Sequence, residues 1–244
     1  MRIIVVDGYE EMSKKAANMV VSQVILKPDS VLGLATGDTP IGMYEEIISL
    51  YKNEEVDFSK VKTFNLDEYY GLSKENPQSY HYYMINHLFN HVNIYENNIN
   101  IPNGMAQNIE SECKNYDKKI VEVGGIDLQV LGIGVNGHIG FNEPDISFES
   151  ETHLVNLDEK TIESNSRFFN SKEEVPTKAI SMGIKTIMHS KKIILLACGS
   201  SKANAIFETI NGKINPNMPA SILQLHRDVV VIVDKEAASK LNLD

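Results

Sequence analysis

The 244-residue sequence predicts an α/β fold, with a mainly parallel sheet covered by helices on both faces. Three observations carry this. Short apolar runs rich in β-branched residues alternate with longer segments of helical apolar spacing, the order that builds a parallel sheet through crossover helices. The runs are apolar at nearly every position rather than at every second one, as strands buried on both faces are. Several of them end in glycine turns, and open parallel sheets bind ligands beyond the carboxyl ends of their strands.

Arg2 to Val6 is the first strand, and Glu10 to Lys27 a surface helix with Ala16, Met19, Val20 and Val24 near helical spacing, ended by Pro28 and Asp29. Ser30 to Ala35 is the second strand and runs into Thr36-Gly37-Asp38-Thr39-Pro40. There Thr39 is placed to cap and Pro40 to take the first position of a helix reaching about Leu50. A glycine turn at a helix start leaves backbone amides for an anion, although an ordinary capped connection looks the same locally. Val61 to Leu66 is the third strand and delivers Asp67 and Glu68 to the sheet's carboxyl edge, where the alternative is a solvated acidic turn. Pro77 to Asn90 reads as a helix; its His87, with His91 four residues on, lacks a metalloprotease glutamate and an obvious third ligand, so both histidines are read as packing or capping groups. A polar loop from Asn97 to Gly104 precedes a helix from Ala106 to Val123, closed by Gly124-Gly125.

The chain is organised around Ile126 to Pro144, IDLQVLGIGVNGHIGFNEP. Its first half is a buried strand. Its second half drops three glycines into the chain and offers Asn136, His138, Asn142 and Glu143 within eight residues. An imidazole and a carboxylate five positions apart on such a loop can converge on one proton. Gly132 to Gly137 also fits the dinucleotide fingerprint, but HIGFNEPDISFES offers no helix to follow it, so that reading is rejected. Beyond it, Thr152 to Leu157 is a brief strand, Asp158 to Phe169 a short helix with Arg167 near its end, and the weakly patterned span 148–177 a candidate mobile lid. Ala179 to His189 turns from strand into helix. Lys192 to Ala197 is a buried strand that leads into Gly199-Ser200-Ser201-Lys202 and a helix to Ile210, a second strand–glycine–helix anion geometry. Val229 to Val233 is the last strand and Lys235 to Leu241 a terminal helix. No linker divides residues 1–244, which read as a single domain.

A net charge of −10 without a basic block argues against nucleic acid, while leaving room for a small phosphorylated substrate that needs two or three local cations. Cys113 and Cys198 have no metal or redox spacing. No apolar run approaches a membrane span and the start lacks a signal-peptide pattern, so a cytoplasmic protein is expected.

The segments GLATGDTPIGMY, FNLDEYYGL, GIGVNGHIGFNEP, NSRFF and CGSSKA, in this order and spacing, resemble the glucosamine-6-phosphate deaminase family from Leu32 to about His226. The HIGFNEP element is highly specific, whereas the first glycine loop is shared with 6-phosphogluconolactonases. The resemblance implies a modified Rossmann-like fold with no metal or organic cofactor. It also implies an aldose–ketose isomerisation with loss of the amine, from glucosamine 6-phosphate to fructose 6-phosphate and ammonia. By the same resemblance, Asp67 shuttles a proton from carbon 2 to carbon 1, and His138 is the ring-opening acid/base, oriented by Glu143. Asn136 is the relay's companion, where many relatives carry Asp and others Asn. Asn holds a hydrogen bond but cannot stabilise an imidazolium by charge, so a distinct pH dependence is expected. Gly37, Thr39, Arg167 and Lys202 match phosphate-binding positions.

Asp38 stands where a small residue is usual, and an acid beside a phosphate is unfavourable unless it points away. His153 and Val155 stand where larger hexameric relatives carry basic side chains for an activating N-acetylglucosamine 6-phosphate, so no such activation and a monomer or low oligomer are expected. A lactonase of the same fold group has no use for a shuttle carboxylate such as Asp67. A sugar-phosphate sensor in a repressor would carry a DNA-binding segment before the first strand, which here begins at Arg2.

Overall fold

The computed structural model describes residues 1–169, 171 and 174–242. Strands β1 (Arg2–Val6), β2 (Val31–Leu34), β3 (Lys62–Asn65), β5 (Ile99–Asn100), β6 (Leu128–Leu131), β9 (Lys192–Ala197) and β10 (Val229–Asp234) form a parallel sheet in the order β1-β10-β9-β6-β2-β3-β5. A smaller antiparallel sheet joins β4 (Asp67–Tyr69), β8 (Lys178–Ser181) and β7 (His153–Asn156), in the order β4-β8-β7. The helices are α1 (Tyr9–Leu26), α2 (Ile41–Lys52), α3 (Tyr80–His87), α4 (Ile109–Glu122), α5 (Glu159–Asn165), α6 (Ile184–Met188) and α7 (Ala203–Asn211). Among the described residues no helix is long and apolar enough to cross a membrane.

The large sheet divides two cores by strand alternation. Ile193 and Leu195 of β9, with Val229, Val231 and Val233 of β10, pack with α4, α6 and α7; Ile194, Leu196, Val230 and Ile232 pack on the opposite face with α1, α2 and α3. Helix α1 meets that face through Met12, Ala16, Val20 and Val24, spaced four apart and buried. Each such large side chain contributes roughly 1.5–3 kcal/mol by leaving water. Below the sheet, Asp127 accepts from Lys27 and Lys191 Nζ, each at 2.7 Å, and from the Val31 amide at 2.8 Å. Burial alone would raise its carboxyl, yet these donors bring it below the usual range.

From β2 the chain steps outward to β3 and β5, then crosses back to β6 on the other side. Such a switch of direction opens a crevice at the strands' carboxyl ends. The loops after β2 and β6 meet there.

Four expectations need correcting. Asp67 and Glu68 do not simply end the third strand: after Asn65 the chain changes sheets at Leu66, whose amide donates to Leu34 O at 3.0 Å and whose carbonyl accepts from Met182 N at 2.7 Å. Thr39 does not cap α2. Pro40 occupies the cap position, and the Tyr9 hydroxyl accepts from the Gly42 amide at 2.8 Å instead. Lys235 to Leu241 forms turns rather than a helix, because Asp234 Oδ1 takes the Ala237 amide at 2.8 Å and diverts the backbone from a regular ladder. The loop expected at Asn97 to Gly104 also contains β5, too short to announce itself.

Candidate active site

The turn between β2 and α2 is built by three tyrosines from the helical layer. Tyr44 Oη donates to Ala35 O at 2.5 Å, Tyr83 Oη to Gly37 O at 2.6 Å and Tyr9 Oη to Asp38 O at 3.0 Å. With its carbonyls held, the turn leaves the amides of Gly37, Asp38 and Thr39 without an acceptor among the described residues. Gly37 has φ +91°, a conformation that other residues enter only at a cost. Uncommitted amides beside a helix start suit an anion.

Both acids, at the start of β4, are buried, Asp67 at 6% exposure and Glu68 at 2%, which removes the solvated-turn reading. Their roles separate. Glu68 accepts from the amides of Tyr69, Tyr80 and His81 at 2.8–2.9 Å, and so anchors the first turn of α3. Burial pushes its carboxyl up to about 7 against the pull of those three amides. No group among the described residues donates to the Asp67 carboxylate. Burial, with the neighbouring Glu68 charge, pushes it up to about 8. A carboxyl poised there exchanges a proton readily near neutral pH.

The loop after β6 holds the second set of groups. His138 Nδ1 lies 3.1 Å from Glu143 Oε2, which also accepts from Asn136 Nδ2 at 2.7 Å; Thr161 Oγ1 donates to Glu143 Oε1 at 2.6 Å. Burial raises the Glu143 carboxyl, but the bonds from His138, Thr161 and Asn136 outweigh it and leave it below its ordinary value. Asn136 Oδ1 also accepts the His138 amide at 3.2 Å, so one side chain fixes both partners. Gly134 lets the imidazole lie against the backbone: a Cβ there would stand 2.5 Å from His138 Cε1. Buried Asn142 bonds the carbonyls of Ile139 and Met182, both at 2.8 Å, and Ser181 Oγ accepts the Phe141 amide at 3.0 Å, tying the loop to β8. No helix follows the glycines, in keeping with rejection of the dinucleotide fingerprint.

Opposite the acids stand two cations. Lys202, in the turn before α7, donates to Ile133 O at 2.7 Å, and burial together with Arg167 lowers the pKa of its ammonium. Arg167 follows α5 and meets Asp38, with Nη2 to Oδ2 at 2.5 Å. Asp67, Asn136, His138, Gly37, Thr39, Arg167 and Lys202 thus line one cavity of about 480 Å³, and Glu143 stands behind His138. Sequence reasoning missed Thr161 and the tyrosines at 9, 44 and 83, none of which carries a local signal.

Of the lid span 148–177, residues 170, 172 and 173 lie outside the described residues. Its first part is tied down: β7 pairs with β8, and Thr152 donates to Asp117 through its amide at 2.8 Å and its hydroxyl at 2.7 Å. Among the described residues no group of three or more His, Cys, Asp or Glu is placed to hold a metal. His87 lies against Tyr83 at 4.4 Å between ring centroids and His91 Nε2 lies 2.8 Å from Asn86 O, the packing and capping roles expected.

A family model described as glucosamine-6-phosphate isomerases/6-phosphogluconolactonase matches residues 8–232. A glucosamine-6-phosphate deaminase of Clostridium botulinum (strain Loch Maree / Type A3) is 84% identical over 243 residues, covering 100% of both chains. Another, of Clostridium novyi (strain NT), is 68% identical over 241 residues, covering 99% of this chain and 100% of that one. A solved structure of a monomeric glucosamine-6-phosphate deaminase superposes with a TM-score of 0.96 at 48% identity, over 98% of this chain and 99% of that one. A 6-phosphogluconolactonase from Trypanosoma cruzi superposes with a TM-score of 0.77 at 20% identity, over 99% and 97% of the two chains, a likeness of fold.

Proposed function

Because this chain belongs to the glucosamine-6-phosphate isomerase/6-phosphogluconolactonase family, we propose that its cleft converts glucosamine 6-phosphate and water to fructose 6-phosphate and ammonia. One observation supports this above the others: a buried carboxyl to which no described residue donates, Asp67, shares a cavity with the His138–Glu143 pair and with two cations. A lactonase needs only water attack on an ester and has no work for that carboxyl.

The amides of Gly37 and Thr39, with Arg167 and Lys202, hold the phosphate. His138, oriented by Glu143 and Asn136, moves the proton that opens the sugar ring. Asp67 then takes the proton from carbon 2 and returns it to carbon 1, while the carbon-1 oxygen gains a proton and the amine gives one up, which leaves an imine at carbon 2. Water adds to that carbon and ammonia departs, so atoms balance without a redox partner. The lid's moving part is residues 157–169, since β7 itself is held in a sheet. The enzyme is a cytoplasmic hydrolase of amino-sugar catabolism. The test is release of ammonia and fructose 6-phosphate in equal amounts from glucosamine 6-phosphate; binding of the sugar phosphate without release would favour a sensor.

Asn136→Asp places a carboxylate against Glu143 Oε2, where the amide now donates at 2.7 Å. The two acids must then share a proton or repel. The expected result is an additional ionisation in the acidic limb of the pH–rate profile and a fall in stability as pH rises through it. A profile identical to that of the unaltered protein would reject the role given to Asn136.

The protein acts as a monomer or low oligomer without activation by N-acetylglucosamine 6-phosphate. His153 lies beside the Glu151 carbonyl at 2.9 Å, Val155 carries no charge, and the groove they share is also lined by Asp145, Glu149 and Asp158, which disfavour a phosphate. Rate against glucosamine 6-phosphate is expected to be hyperbolic with or without the acetylated sugar. A sigmoidal curve that the acetylated sugar straightens would refute this.

A further inference from the structure

Asp38 and Arg167 come from opposite walls of the cleft, and their ion pair at 2.5 Å closes its rim. The Asp38 backbone is fixed by Tyr9, so its side chain moves alone. Arg167 belongs to a strap attached at two earlier points: Thr161 donates to Glu143 at 2.6 Å, and Asn165 Nδ2 donates to Tyr69 Oη at 2.8 Å. A guanidinium receives a carboxylate and a phosphate through the same paired N–H groups.

We propose that Asp38 is an affinity-setting residue that stands in for the substrate's phosphate, holding Arg167 and its strap over the empty site until a phosphate displaces it. This rests on the phosphate-binding reading of Arg167. The doubly charged phosphate takes the guanidinium, and repulsion turns the Asp38 carboxylate out to solvent. The exchange keeps the strap, and through Thr161 the Glu143–His138 pair, in place before substrate arrives. Its cost is weaker phosphate binding. An exposed pair is worth up to about 1 kcal/mol, roughly a fivefold change in affinity.

The experiment is a calorimetric titration of the full chain with inorganic phosphate at low salt, across Asp38→Asn, Arg167→Gln and the double variant. Asp38→Asn is expected to tighten phosphate binding about three- to fivefold, and by less than about twofold where Arg167 is already Gln. Without phosphate, Asp38→Asn is expected to speed amide hydrogen exchange over residues 158–169, and saturating phosphate to remove the difference. Unchanged or weaker phosphate binding in Asp38→Asn overturns the proposal. So does equal tightening in both backgrounds, which would be bulk repulsion. If Arg167→Gln leaves phosphate binding intact, the phosphate assignment falls, and this proposal with it.

Discussion

Asp67→Asn is expected to lower kcat about 10²- to 10⁴-fold, the range that general acid–base groups supply, with binding of the sugar phosphate retained. The amide has the carboxyl's shape but cannot carry a proton from one carbon to the next. The same change is expected to stabilise the fold near neutral pH. Burial holds the Asp67 carboxyl up at about 8, so the native state binds a proton that the unfolded chain releases near 3.8. Stability from this group is therefore complete below about pH 4 and is lost as pH rises towards 8. At pH 7 the penalty is on the order of a few kcal/mol, from about 1.4 kcal/mol per pH unit. Urea denaturation of both proteins at pH 4, 6 and 8 should show the variant's advantage opening with pH. Since the shuttle must be ionised to accept the carbon-2 proton, kcat/KM of the unaltered protein should rise with pH towards the same region. Full activity in the variant, or a stability difference that ignores pH, would remove Asp67 from the reaction.

His138→Gln is expected to cost about 10²- to 10³-fold in kcat by making ring opening slow. The two losses are separable with substrate carrying deuterium at carbon 2. Asp67→Asn should keep a primary isotope effect, because breaking that bond limits it. In His138→Gln the effect should shrink towards unity, because an earlier step limits. A full isotope effect in His138→Gln would place the imidazole at the carbon-2 proton transfer instead. Glutamine retains a hydrogen-bonding partner for Glu143, whose ionised form gives stability above the ordinary carboxylate range that is lost as pH falls.

What the sequence made legible and what it hid follow from the range of the forces. Lys192 to Ala197 was readable to the residue because a strand buried on both faces needs an unbroken apolar run, and KIILLA is one. The HIGFNEP loop was readable because its groups fall within eight residues and meet locally, as the Asn136–Glu143–His138 bonds do. Glu68 reads in the sequence only as a second acid at the sheet's edge, because adjacency is all a sequence shows. Its work is at α3, more than ten residues on, through the amides of Tyr80 and His81. The end of β3 was misread for a similar reason: nothing in FNLDEYY says that the chain changes sheets at Leu66, a choice made by Leu34 and Met182. Thr161 and Asp38 each find a partner only after the cleft has closed.

The pairing of β1 with β10 bears on how the molecule is made. Arg2 lies beside Val230 and Val6 beside Asp234, so one edge of the sheet joins strands from opposite ends of this sequence. On the ribosome, RIIVV emerges long before the strand it pairs with. Until that strand follows, it stays an apolar segment without its sheet partner, the kind of segment that recruits chaperones or other nascent chains. Joining strands so distant carries a large loop-closure entropy, which slows folding. The edge farthest from β3 and β5 is thus the one that pairs the most distant strands of the sheet.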